Sequence, residues 1–216
     1  MRVTSFFACA ASCIGLLMVP AVVQAQFTTF TTHPTSTGLS GDGGGVFFDL
    51  EAIGGSPLQV VGFDFNTWSA GTNVEISVYT KSGTWFGHDT DPGAWTLHDT
   101  VTTDTTGISN EFVRIFIDPM NIATGDVTGV YFYIATNGIR YASSTSATWQ
   151  GNPLDDGTMR FHAGIARSAL FGGSGFGNGT TSFRGYAGNI LYIPAPGAIA
   201  LLGLAGACGV SRRRRA

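Results

Sequence analysis

Through the middle of the chain, apolar residues return at every second position, and that period decides the fold class. Val61, Phe63 and Phe65 share one face of an extended segment. Val74, Ile76 and Val78 do the same, with Glu75, Ser77 and Tyr79 on the opposite face. Val113, Ile115 and Ile117 alternate with Phe112, Arg114 and Phe116, and Val130, Phe132 and Ile134 alternate with Tyr131 and Tyr133. Side chains of a strand point to alternate faces, so this period marks strands that turn one face to a core. Further strands are expected at 46–50, 95–101, 139–142, 158–162 and 182–193. Turn signals separate them: Gly54-Gly55-Ser56-Pro57, Ser82-Gly83, Asp91-Pro92-Gly93, Asn137-Gly138, Asn152-Pro153 and Asp155-Asp156-Gly157. No stretch of the body carries a sustained helical period. The pattern predicts an all-β fold of about eight or nine short strands, an antiparallel β-sandwich of jelly-roll or immunoglobulin-like type, over residues 46–193. Residues 26–45 are rich in Thr, Ser and Gly and read as a linker, or as a first edge strand at 27–31.

Composition excludes some functions. Only 12% of residues are charged while 44% are hydrophobic, which is too apolar for a disordered chain. Of 11 basic residues, Arg2, Arg212, Arg213, Arg214 and Arg215 sit at the two ends; six then face 14 acidic residues in the body, a net charge near −8. A body with one lysine, Lys81, and that charge is unsuited to nucleic acid, whose phosphates need clustered Lys and Arg. The three cysteines, Cys9, Cys13 and Cys208, all lie in the end segments, so the body forms no internal disulfide.

Residues 1–25 have the three parts of a secretory signal. Arg2 supplies the positive start, 6–19 the apolar stretch, and Val23-Gln24-Ala25 the small residues that place signal-peptidase cleavage after Ala25. At the other end, Pro194-Ala195-Pro196 precedes an apolar run over 197–210 and the cluster Arg212 to Arg215. Four arginines directly after an apolar run stop translocation and keep the preceding domain outside. This tail resembles the PEP-CTERM sorting signal, in its Pro-Ala-Pro variant. The resemblance covers about the last tenth of the chain. It implies recognition by an exosortase-like membrane transpeptidase, transient anchoring in the inner membrane by a C-terminal transmembrane helix, and cleavage near the proline motif. It also implies delivery to the envelope or extracellular polymer of a Gram-negative-type bacterium. The body resembles a domain pattern of bacterial exported and surface proteins, through Phe48-Asp49, Gly62-Phe63-Asp64-Phe65-Asn66, Val74-Glu75-Ile76-Ser77-Val78-Tyr79-Thr80-Lys81, Asp91-Pro92-Gly93-Ala94-Trp95, Gly129-Val130-Tyr131-Phe132-Tyr133 and Gly138-Ile139-Arg140-Tyr141.

Several constellations in the body carry candidate chemistry. His88, Asp89, Asp91, His98 and Asp99 cluster in sequence but match no zinc spacing. A calcium ion accepts loop carboxylates, and Asp89, Asp91, Asp155 and Asp156 are its candidates, although no EF-hand loop is present. The aromatic inventory is Trp68, Trp85, Trp95 and Trp149 with Tyr79 and Tyr141; most such rings fill cores, and Trp85 and Trp149, the most loop-like, are the candidates for stacking on sugar rings. Residues 172–179 read as a flexible Gly-rich loop without a phosphate-binding context, and Asn178-Gly179-Thr180 matches a glycosylation acceptor. Neither GxSxG nor HExxH occurs. The leading expectation is a non-enzymatic envelope or matrix protein, without a cofactor, acting by structural or adhesive interaction. A carbohydrate-binding module comes second, with extracellular polysaccharide as partner, and a polysaccharide-acting enzyme with two facing carboxylates third.

Overall fold

Strand alternation builds two antiparallel sheets that face each other across one core. In the computed structural model of the chain, the described residues are 26–32, 38–39, 44–109, 111–144, 153–177, 179–180 and 182–194. The expected signal peptide, the tail from Ala195 to the end and Trp149 lie outside them. The smaller sheet runs in the order β1 (Thr28–Thr31), β14 (Asn189–Pro194), β4 (Leu58–Phe65) and β7 (Val113–Ile122). The larger runs β2 (Gly38–Leu39), β9 (Arg140–Ser144), β13 (Phe183–Tyr186), β11 (Met159–Ala169), β3 (Gly45–Ala52), β8 (Val127–Ile134), β5 (Ala70–Ser82) and β6 (Thr96–Thr106). Two further strands, β10 (Leu154–Asp155) and β12 (Gly172–Phe176), also pair with β11. Among the described residues the only helical element is a 3-10 turn at Pro92–Ala94.

Inward positions from both sheets meet in the main core: Val46, Phe48 and Leu50 of β3, Ile76 and Val78 of β5, and Phe132 and Ile134 of β8 face Phe63, Phe65, Ile115 and Ile190. Phe63 and Phe132 meet edge-on at 5.3 Å across the sheets. Outward positions of the larger sheet are buried as well. Phe47 of β3 stacks on Tyr131 of β8 at 3.8 Å, and Trp85, Trp95 and Ile165 complete a second apolar cluster. Segment 83–95, which joins β5 to β6, folds back over this outer face and makes the second cluster possible.

Asp64 joins the sheets. The residue is 4% exposed, and its carboxylate accepts from Arg114 Nε (2.6 Å) and Nη2 (2.8 Å) of β7 and from Asn189 Nδ2 (2.8 Å) of β14. Its carbonyl accepts from the Tyr186 hydroxyl of the larger sheet at 2.8 Å. The chain crosses between sheets at Gly188, where any Cβ would overlap that same carbonyl oxygen.

The structure corrects three expectations. Val60 rather than Val61 enters the core, because a bulge between Val60 and Gly62 shifts the register against β7. Pro119 fits within β7 because β7 is the edge strand of the smaller sheet and Pro119 falls inside this irregularity, where β4 pairs with neither it nor its two preceding residues. Residues 182–193 form two strands in different sheets rather than one. The Gly-rich stretch is a strand, β12, whose hairpin tip at Leu170-Phe171 holds Phe171 at φ 49° so that its ring drops onto Tyr131 at 4.9 Å.

Trp85 fits on the outer face because Gly164 beneath it has no side chain. A Cβ at Gly164 would overlap the Phe47 carbonyl and lie 2.8 Å from the Trp85 ring, whereas one at Gly172 meets nothing closer than 3.7 Å. Gly164→Ala is expected to destabilise the fold by roughly 1–3 kcal/mol, and Gly172→Ala to leave thermal unfolding nearly unchanged. Parallel melts of the two variants check this.

Candidate binding cleft

Towards one end of three neighbouring strands the inward positions change chemistry. On β5 the inward series runs Val74, Ile76, Val78, then Thr80 and Ser82. On β8 it runs Ile134, Phe132, Val130, then Thr128. Thr96 of β6 pairs with Thr80, and Ser82 pairs with Thr128, so the hydroxyls fall in cross-strand rows. Apolar filling ends there, and the sheets separate around a cleft of about 510 Å³. Pro119 of β7 and Val127 of β8 give it an apolar side, backed by Met120 and Ile122, both buried in the main core. The segment linking β7 to β8 runs along it, held by Gly125 N–H to the Ala52 carbonyl (2.8 Å) and Asp126 N–H to the Ala123 carbonyl (3.0 Å).

A staple between β6 and β7 fixes the gap. A register shift between Val78 and Tyr79 leaves His98 as an extra residue on β6. Its Nε2 lies 2.8 Å from the Asp118 carbonyl oxygen, and the Asp118 N–H donates to Asp99 Oδ2 at 2.8 Å. Side chains of one sheet edge thus satisfy both backbone groups of a residue on the other. Lys81 is committed elsewhere, its Nζ donating to the carbonyls of Ser82 (3.0 Å) and Thr84 (2.7 Å). The hydroxyls of Thr80, Ser82, Thr96 and Thr128 have no hydrogen-bond partner among the described residues. Sequence reading missed these four; the available signal was a polar residue at an inward position of an otherwise apolar alternation.

The residues singled out from sequence are dispersed. Trp85 was expected to be exposed, and it is 4% exposed. The cause is Asp49 on the outer face of β3, whose carboxylate accepts from Trp85 N–H (2.8 Å) and the Thr84 hydroxyl (2.6 Å) and pins the loop to the sheet. Trp95 is buried beside it and donates to the His88 carbonyl at 2.8 Å. Trp68 is exposed, with the Arg140 guanidinium 4.7 Å above its ring. These three indoles form no row.

The four aspartates proposed for calcium are likewise apart. Asp89 pairs with Arg167. Asp91 caps the 3-10 turn through Gly93 N–H at 3.1 Å and lies 3.9 Å from His88 Nδ1. Asp155 lies 3.7 Å from Arg160 Nε. Asp156 accepts from the N–H groups of Thr158 and Met159, both at 2.9 Å, and from the Tyr192 hydroxyl at 2.7 Å. Arg160 and Arg167 are seven residues apart on β11, roughly 23 Å at the usual rise per residue. The structure therefore does not bring the two Asp pairs together. Among the described residues no three His, Cys, Asp or Glu side chains gather in metal-binding range.

A scan against protein-family models finds no match to this chain, and a search of curated proteins finds none either.

Two buried carboxylates respond to pH with opposite signs. Burial pushes Asp49 above its ordinary value of 3.8, more than the hydrogen bonds from Thr84 and Trp85 lower it. Burial acts the same way on Asp64, but there the Arg114 and Asn189 hydrogen bonds and the Arg114 charge outweigh it, and the value is lowered. A lowered value means that the contribution of Asp64 is present above 3.8 and is lost as pH falls through its folded value. The contribution of Asp49 is present below 3.8 and is lost as pH rises through its folded value. Asp64→Asn is expected to flatten the loss of stability below about pH 4. Asp49→Asn is expected to flatten the loss on the rising side. Denaturant unfolding across the acid range measures both slopes.

Proposed function

We propose that this chain is a non-enzymatic exported protein of the cell envelope or extracellular matrix, and that it works by adhesion to extracellular polymer through the inter-sheet cleft. The observation that carries the reading is the set of four uncommitted hydroxyls lining, with Pro119 and Val127, a cleft of about 510 Å³. Hydroxyls both donate and accept, so such a lining holds a hydrogen-bonding ligand by many weak contacts. The carboxylates buried in the fold have structural work: Asp64 joins the sheets and Asp49 holds the loop. Within the antiparallel class, we read the arrangement as a β-sandwich of jelly-roll or immunoglobulin-like type. The crossings β3 to β4, β4 to β5, β6 to β7, β7 to β8 and β13 to β14, each passing from one sheet to the other, support that reading.

Export rests on the two ends of the sequence. A signal peptidase acts after Ala25, and an exosortase-like transpeptidase acts near Pro194-Ala195-Pro196 once Arg212 to Arg215 have stopped translocation. Strand β14 ends at Pro194, which is exposed, so processing beyond that residue leaves the last strand whole.

The full chain, produced in a Gram-negative host that carries an exosortase, is expected in the envelope or matrix fraction, shortened at both ends. Replacing Arg212, Arg213, Arg214 and Arg215 by Ala is expected to leave the tail uncleaved. Full-length wild-type chain confined to the cytoplasm contradicts the proposal. Mass spectrometry of the fractions gives the result.

A further inference from the structure

We infer that the cleft takes an uncharged sugar unit of a neutral polysaccharide; this rests on the adhesive reading above and names its ligand. The first argument is the pairing of chemistries. Thr80, Thr96, Ser82 and Thr128 present hydroxyls at inward strand positions where the main core has aliphatic side chains. Thr80 and Thr128 are half-buried and Ser82 and Thr96 exposed, so their hydroxyls are open to water and to a ligand with matching groups. A sugar ring carries hydroxyls that donate and accept, as these do, and C–H faces that suit the exposed Pro119 and the half-buried Val127, which Met120 and Ile122 back from within the core.

Charge is the second argument. The cations that would hold an acidic polymer are engaged. Lys81 Nζ is bound to the carbonyls of Ser82 and Thr84, and the His98 ring nitrogen meets the Asp118 carbonyl. Asp126 stands exposed on the lining, and the body as a whole is acidic. An anionic polysaccharide meets repulsion there, while a neutral one does not.

The third argument concerns shape. The His98 and Asp99 contacts to Asp118 hold β6 against β7, so the cleft is formed before any ligand arrives. A preformed site loses less conformational freedom on binding.

The test uses Thr80→Val combined with Thr128→Val, which keeps side-chain shape and removes two hydroxyls. Neither hydroxyl has a partner among the described residues, so the variant is expected to melt no lower than wild type. The full chain in mild detergent is run in affinity electrophoresis through gels holding dextran, xyloglucan, galactomannan or alginate. At least one of the three neutral polymers is expected to retard the wild type saturably, at low and high salt alike. The double variant is expected to bind that polymer about tenfold or more weakly, at roughly one hydrogen bond's worth per hydroxyl. Binding that survives in the folded double variant overturns the cleft as the sugar site and leaves adhesion standing. Retardation by alginate alone, lost at high salt, overturns the neutral ligand and likewise leaves adhesion standing. Retardation by no polymer overturns the inference, while fractionation of the exported protein judges the reading beneath it. If the double variant melts lower than wild type, Thr128→Val and Thr96→Val alone carry the same comparison.

Discussion

The centre of the larger sheet is buried on both faces, and the rest of the structure follows from that. In β3, Val46, Phe48 and Leu50 face the smaller sheet while Phe47 faces outward and is no less buried. In β8, Val130, Phe132 and Ile134 face inward and Tyr131 outward, stacked on Phe47 at 3.8 Å. An outward aromatic pair of this size cannot be left in water at no cost. Something must cover it, and the cover is segment 83–95 with the β11–β12 hairpin tip. Covering brings backbone with it, and buried N–H groups need acceptors. Asp49 supplies one for Trp85, and that need accounts for a carboxylate in the middle of an apolar strand. The strain at Phe171 has the same origin: its left-handed backbone is tolerated because its ring packs on Tyr131, Tyr79 and Phe47.

Much of this was legible in the residues, and the misses share a cause. The alternations at Val74 to Tyr79 and Val130 to Ile134 place both faces of β5 and β8 correctly, since a period of two is a local property. An edge strand near 27–31 is present as β1, paired with β14. The errors lie where a distant partner decides. Val61 loses its core position to Val60 through a bulge against β7. The Gly-rich stretch becomes a strand because β11 pairs with it, around a tip of two bulky residues in place of the usual Asn-Gly or Asp-Gly. Trp85 reads as loop, and it does lie in a loop, but Asp49 and Gly164 bury it. The cleft was legible only in part: Thr80 and Thr128 continue the alternation of Val78 and Val130 on one face of the larger sheet, yet the open space between that face and β7 depends on how the sheets diverge.

Together these features give the domain two ends with different tasks. Where Asp64 ties β4, β7, β14 and Tyr186 together, the sheets are locked. Where inward positions turn to Thr and Ser, the sheets part, and His98 and Asp99 set the width of the opening. The adhesive role we propose draws on this combination: a fold held without disulfides, and a preformed cleft lined by hydroxyls rather than by free charges.

The most direct measurement is methyl-resolved NMR of the full chain titrated with oligosaccharides cut from a neutral polysaccharide it binds. The account predicts that the shifted methyl groups are those of Thr80, Thr96, Thr128 and Val127, with those of Val46 and Leu50 in the closed core unmoved. Shifts confined to the outer face, at Ile165 under Trp85 or at Leu97 beside Tyr79, would contradict it and move the binding surface to the other side of the larger sheet.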